Sequence, residues 1–164
     1  MAGVPISADE VFEMAEEIER NGAAFYRQAA HGAVEERHRE LLTTLADMEV
    51  QHERTFKAMR HEFAGPGAVR VDPDSEAALY LRAMVDGRVF DRSDPSRKLT
   101  GKEPMTDVLH TAIGLERDSI AFYSGISRMV GGESGKAKVN AIIKEEMSHV
   151  AILSEELAVV ESGR

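Results

Sequence analysis

Cysteine is absent from the 164 residues, and this one absence removes several kinds of chemistry. No disulfide, thiolate zinc site, iron–sulfur cluster or cysteine nucleophile can form, so any bound metal must be held by nitrogen and oxygen. Proline is scarce, at five residues, and no strand pattern competes with helix anywhere in the chain. No apolar run reaches the 18 residues of a membrane span. The opening MAGVPISADEVFEMAEE has neither the basic segment nor the apolar stretch of a signal peptide. A cytoplasmic protein is the expectation. There is no Ser/His/Asp frame and no phosphate-binding glycine loop. Positive charge is in the minority, and the net charge of −9 argues against nucleic acid or an anionic membrane surface as a partner.

What is present reads as helix. Apolar residues make up 43% and charged residues 30% of a chain long enough for one domain with a sizeable core. Ser7 and Glu10 form a capping box, and Val11, Ala15, Ile18, Gly22, Tyr26 and Ala29 follow at helical spacing to His31-Gly32. A second helix carries Leu41, Leu45, Met48, Phe56, Met59 and Phe63, with Gly65-Pro66-Gly67 as its stop. Asp72-Pro73 reads as cap and first turn of a shorter helix through SEAALYLRAMVDGRVF, and DRSDPSRKLTGKEP reads as loop. A third long helix runs from about Thr106 to Gly131-Gly132, and a fourth almost to the C-terminus. The prediction is an all-α, ferritin-like four-helix bundle spanning 1–164 as a single domain. Its hairpins cover about 8–63 and 105–161, joined by a long crossover at 64–104.

Two short stretches disturb this regular pattern. MEVQHE at 48–53 and EEMSHV at 145–150 each place a Glu-x-x-His where an amphipathic helix wants core residues. Alone, the motif is weak, because so acidic a chain supplies it by chance. A third copy, Glu35 to His38 within EERHRE, has charged flanks and reads as solvated surface. Glu49 and Glu146, in contrast, lie on apolar stripes and point inward, where an unpaired carboxylate needs a partner, a proton or a metal.

The frame around them is duplicated. Glu19, Phe25, Tyr26, Glu49 and His52 recur as Glu116, Phe122, Tyr123, Glu146 and His149, each 97 positions later, so the chain repeats one helical hairpin. Each glutamate of a hairpin stands about 15 residues, or roughly 22 Å of helix, from its turn. The two carboxylates of a hairpin are therefore level. Packing the hairpins face to face brings four carboxylates and two imidazoles to one depth of the core. Four like charges there would repel and take up protons, whereas two divalent cations would balance them. One Glu from each of two helices plus a Glu-x-x-His from each of the others is the arrangement of di-iron and di-manganese carboxylate bundles. Tyr26 and Tyr123, two turns beyond Glu19 and Glu116, are placed to donate hydrogen bonds to the carboxylates. Phe25 and Phe122 read as packing, His31, His61 and His110 as surface or helix-end residues, and the eight methionines as core filler.

EIERNGAAFYRQAA, LADMEVQHERTFKAM, YLRAMVDGRVF, GLERDSIAFY and IIKEEMSHVAIL together resemble the rubrerythrin-like branch of the ferritin-like superfamily over nearly the whole chain. The resemblance implies Glu19 and Glu116 as terminal ligands, Glu49 and Glu146 as bridges, and His52 and His149 as caps of one metal each. It implies two iron ions, with manganese also suited to these donors, and an oxidoreductase reacting with O2 or H2O2. A homodimer is implied as well. Two features depart from the family. The four-cysteine rubredoxin domain is missing, so an external electron donor is implied. The extra glutamate one turn after the helix-three ligand is Ser119 here, and its helix-one counterpart is Gly22. Iron binding or storage with ferroxidase activity is the alternative reading; a di-iron hydroxylase and a metal-free scaffold stand behind it.

Overall fold

A computed structural model of the chain describes residues 6–63, 72–86 and 91–163. Ser7 starts the first helix, its hydroxyl accepting the Glu10 N–H at 3.1 Å while the Glu10 carboxylate accepts the Ser7 N–H at 2.8 Å. The box satisfies donors that a helix start leaves free. From there α1 runs Ala8–Gly32, and Ala33 ends it by turning extended. α2 covers Glu36–Phe63; the expected Gly65-Pro66-Gly67 stop lies outside the described residues. α3 covers Glu76–Val85, α4 Met105–Met129 and α5 Glu133–Glu161. Gly132 opens α5 at a φ of +84°, a conformation that a side chain would strain. Among the described residues no strand forms, and no helix is long and apolar enough to cross a membrane. The fold is the expected all-helical, ferritin-like bundle.

The crossover differs from the sequence reading in two details. Ser75, not Asp72-Pro73, caps α3, its hydroxyl accepting the Ala78 N–H at 3.2 Å. Asp72 instead folds a turn ahead of the helix by accepting the Asp74 N–H on its own side chain, as aspartate does before proline. The stretch read as loop holds a short 3-10 turn at Pro95–Lys98, capped by Asp94. Residues 87–90 of the expected shorter helix lie outside the described residues.

Ion pairs give the helix directions. Asp9 meets Arg60 at 2.7 Å and Arg20 meets Glu53 at 3.0 Å, so numbers rise along α1 as they fall along α2. Lys138–Glu62 and His38–Glu156 run α5 against α2 in the same sense. α3 lies on α4, where Gly125 leaves room for it: a Cβ there would sit 2.7 Å from Leu81 Cδ2.

The core is split in two. One apolar cluster gathers Phe12, Met14, Phe56, Met59, Leu81, Phe122 and Ile142. The other gathers Phe25, Leu42, Leu45, Leu109, Leu153 and Leu157. Between them every long helix contributes a polar stretch, at 16–19, 49–52, 116–119 and 146–149. Two dry blocks thus enclose one charged layer and keep water from screening it. Met14, Met59 and Met84 fill core as expected. Met147 does not: it is 59% exposed, because it sits one residue past Glu146, on the face turned away from the layer.

Candidate metal centre

All six ligand candidates lie in that layer, none more than 4% exposed. They fall into two groups whose donor atoms lie within 4.8 Å of one another: Glu19, Glu49, His52 and Glu146 in one, Glu49, Glu116, Glu146 and His149 in the other. Glu49 and Glu146 belong to both. Each group could hold one ion, with Glu49 and Glu146 available to both and one further carboxylate and one imidazole for each. The rings stack 5.9 Å apart, tilted by 21°, and both turn Nδ1 inward. His52 Nδ1 stands 2.9 Å from Glu146 Oε1 and 3.5 Å from Glu19 Oε2. His149 Nδ1 stands 2.9 Å from Glu146 Oε2 and 3.4 Å from Glu49 and Glu116.

The tyrosines cross over. Tyr26 of α1 donates to Glu116 of α4, and Tyr123 of α4 donates to Glu19 of α1 at 2.5 Å. Because these pairs run in opposite numerical order, α1 and α4 are antiparallel, which sets each tyrosine beside the other hairpin's glutamate. Burial, and then the carboxylates around them, hold both phenols well above their ordinary pKa. They stay protonated and remain donors.

The charges in the layer show what it costs to leave the cluster to itself. Burial, followed by repulsion from Glu49, drives Glu19 well above the carboxylate range. Burial does the same to Glu116, with Glu49 and Glu146 adding to it against the pull of His149. Burial works against ionising Glu146 as well, but His149, His52 and Glu116 outweigh it and bring its pKa down to about 2. Glu49 is likewise lowered, by Glu19 and both histidines acting against burial. Burial opposes charge on the imidazoles too, yet the carboxylates raise His149 to about 12 and His52 further still. Without a cation, the rings are held toward their protonated form against Glu49 and Glu146, while Glu19 and Glu116 are pushed toward the neutral acid.

Proton sharing leaves the layer poorly satisfied. Several contacts are close but lack hydrogen-bond geometry: Glu19 Oε2, Glu49 Oε1, both Glu146 oxygens, His52 Nδ1 and His149 Nδ1 are buried without a hydrogen-bond partner. Such atoms are costly in a dry core, and all of them face the middle of the cluster. Oxygen and imidazole nitrogen donors in this number suit iron, manganese or zinc. Two divalent cations would neutralise four carboxylates and occupy the orphaned lone pairs. The residues fit a dinuclear metal centre.

A cavity of about 40 Å³ reaches the layer from the side, between α1 and α4, lined by Ile18, Gly22, Tyr26, Glu49, Glu116 and Ser119. It has room for a few waters or one small diatomic molecule. Gly22 and Ser119, the two small residues one turn beyond the helix-one and helix-three glutamates, are what leave it open. Asp91–Pro95 crosses the mouth, tied down by Arg92 on Glu17 at 2.9 Å.

Sequence reasoning misplaced one residue and passed over two. His38, read as solvated surface, is buried, its Nε2 2.8 Å from Glu156 Oε1; the charged flanks hid that its own face turns toward α5. Glu35, its partner in the apparent motif, is exposed. Glu16, buried one turn before Glu19 and 3.5 Å from Arg60, could have been found from its place on the apolar stripe. Glu145, 2.8 Å from His52 Nε2, breaks the repeat, since Met48 stands at the matching position. His31, His61 and His110 are exposed, and Phe25 and Phe122 are core.

Comparison with known proteins agrees with this architecture. Residues 7–159 match the family model of the ferritin-like domain. A crystal structure from Thermotoga maritima, described as that of a candidate ferritin-like diiron-carboxylate protein, superposes with a TM-score of 0.70 at 22% identity. The alignment covers 95% of this chain and 97% of that one, which shows a shared fold. No curated protein is significantly similar in sequence. With the family model spanning nearly its whole length, the chain belongs to the ferritin-like domain family.

Proposed function

We propose that the chain is a non-haem di-iron carboxylate oxidoreductase of the rubrerythrin-like type, acting on O2 or H2O2. In this reading Glu49 and Glu146 would serve both irons, Glu19 and Glu116 would serve one each, and His52 and His149 would each offer an inward Nδ1 to one of them. The observation that carries it is the convergence of four carboxylates and two imidazoles, with orphaned inward atoms, beside a cavity sized for a small oxidant. Two ferrous ions would supply the two electrons that, with two protons, convert H2O2 to two waters.

The chain's own residues do the rest. The apolar blocks exclude water, so the layer's charges act at low dielectric. Tyr123 and Tyr26 fix the orientation of Glu19 and Glu116 through donated hydrogen bonds, as outer partners of metal ligands do. The cavity delivers a small molecule to the Glu49–Glu116 side and admits nothing large. The bundle itself has no cysteine to hold a rubredoxin-type iron, so in this reading its electrons would come from outside the bundle. The Thermotoga protein's description as diiron-carboxylate supports the choice of iron. Homodimer assembly, implied by the resemblance, is open to sedimentation analysis.

The test is anaerobic loading with Fe(II), then rapid mixing with H2O2 or O2 while absorbance and iron content are followed. The proposal expects two irons per chain and faster oxidation by H2O2 or O2 than of free Fe(II), reversed by an added reductant. Iron accumulating far past two per chain would favour storage with ferroxidase activity.

A further inference from the structure

The duplication makes the six candidate ligands equivalent in pairs, so any difference between the two metal positions must come from what surrounds them. Two differences coincide. His52 Nε2 has a carboxylate partner, Glu145, at 2.8 Å, whereas His149 Nε2 is buried with no hydrogen-bond partner among the described residues. The cause is legible in the repeat: 97 positions before Glu145 stands Met48, whose thioether is at best a weak acceptor. The second difference is access. The cavity reaches the layer at Glu49, which both groups share, and at Glu116, which belongs to the His149 group alone; Glu19, the matching carboxylate of the His52 group, does not line it.

Resting on the dinuclear reading, we propose that Glu145 is a positioning residue that makes the two metal positions unequal: the His52 position is the tight, enclosed anchor, and the His149 position is the looser one, open to the cavity. The chemistry is that of a carboxylate behind a histidine ligand. The Nε2–H donated to Glu145 fixes the ring's tautomer with the Nδ1 lone pair inward, stops the ring from turning, and makes Nδ1 a stronger donor. His149 has the same inward Nδ1 but nothing to hold its outer nitrogen. The positions therefore fill in order, the His52 position first, and an incoming small molecule meets the ion that is held less firmly.

Glu145 is 53% exposed on its side chain, so its variants are expected to fold. Co(II), which takes nitrogen and oxygen donors, is the probe. Titrating metal-free wild-type protein with Co(II) against a competing chelator should give two steps of unequal affinity. In Glu145→Ala the tighter step should weaken about tenfold to a hundredfold while the weaker one moves less than about twofold; Glu145→Gln, which keeps an acceptor without charge, should fall between. Crystals carrying one equivalent of Co(II) should show higher anomalous occupancy at the His52 position. Two equal steps in the wild type, both steps shifting together in Glu145→Ala, no shift at all, or higher occupancy at the His149 position would each overturn the proposal while two bound ions kept the dinuclear reading intact. Failure to bind Co(II) in either position would overturn both.

Discussion

The two hairpins, α1–α2 and α4–α5, agree at the positions that face the middle of the layer and diverge one step away from it. Glu19, Tyr26, Glu49 and His52 match Glu116, Tyr123, Glu146 and His149, yet Glu16 is matched by Ile113, His38 by Gly135 and Met48 by Glu145. The contrast separates two kinds of constraint. Charge balance in the layer needs all four carboxylates and both rings, so neither copy can drift. The surroundings need only keep the layer dry, and there each hairpin has found its own solution: Glu16 leans on Arg60 in one, and Glu145 backs a histidine across the bundle from the other.

Breaking the shared part should have the largest effect. Glu146 contributes to both groups, so Glu146→Ala should take bound metal from two ions per chain to below one, as read by elemental analysis. The stabilisation by metal should go with it; at a free concentration a thousand times Kd that is about 4 kcal/mol. Exposed Glu35→Ala should leave both unchanged.

Next in size is the proton exchange. In the metal-free protein His52 and His149 keep their protons far above the ordinary histidine range, and Glu19 and Glu116 keep theirs above the carboxylate range. The free state thus carries more protons than the loaded one, and raising the pH favours metal. Loading at neutral pH should release protons from both imidazoles, with Glu19 and Glu116 adding to the count, and affinity should fall as the pH drops. Calorimetry in buffers of different ionisation enthalpy counts them.

The crossed tyrosines sharpen the comparison. Tyr26→Phe strips a donor from Glu116 and Tyr123→Phe strips one from Glu19, each leaving a buried carboxylate oxygen unpaired at a cost of about 1–3 kcal/mol. That is roughly 2–4 °C of Tm per kcal/mol in a chain of this size. Each loss should be coupled to the glutamate of the opposite hairpin and not to that of its own, which a double-mutant cycle with Glu19→Gln and Glu116→Gln resolves.

Smallest is the unduplicated contact of His38 with Glu156. His38→Ala should lower stability by about 1–2 kcal/mol, measured by denaturant unfolding, with metal content unchanged.

The bundle and the converging layer could be read from residue order because both follow from periodicity: 3.6-residue spacing gives the faces, and a 97-residue repeat superposes them. Features that depend on how helices lie against one another could not. The tyrosine crossing needs the antiparallel order of α1 and α4, which no local pattern states. His38 was hidden by charged neighbours on the other sides of its helix. Glu145 was passed over because nothing local ties it to His52, its partner 93 residues away.

The most direct test of the account is diffraction at the iron absorption edge from protein purified without chelator. Two anomalous peaks enclosed by Glu19, Glu49, His52, Glu116, Glu146 and His149 are the predicted result. An empty cluster with its carboxylates still buried and protonated, or metal bound elsewhere on the chain, would contradict it.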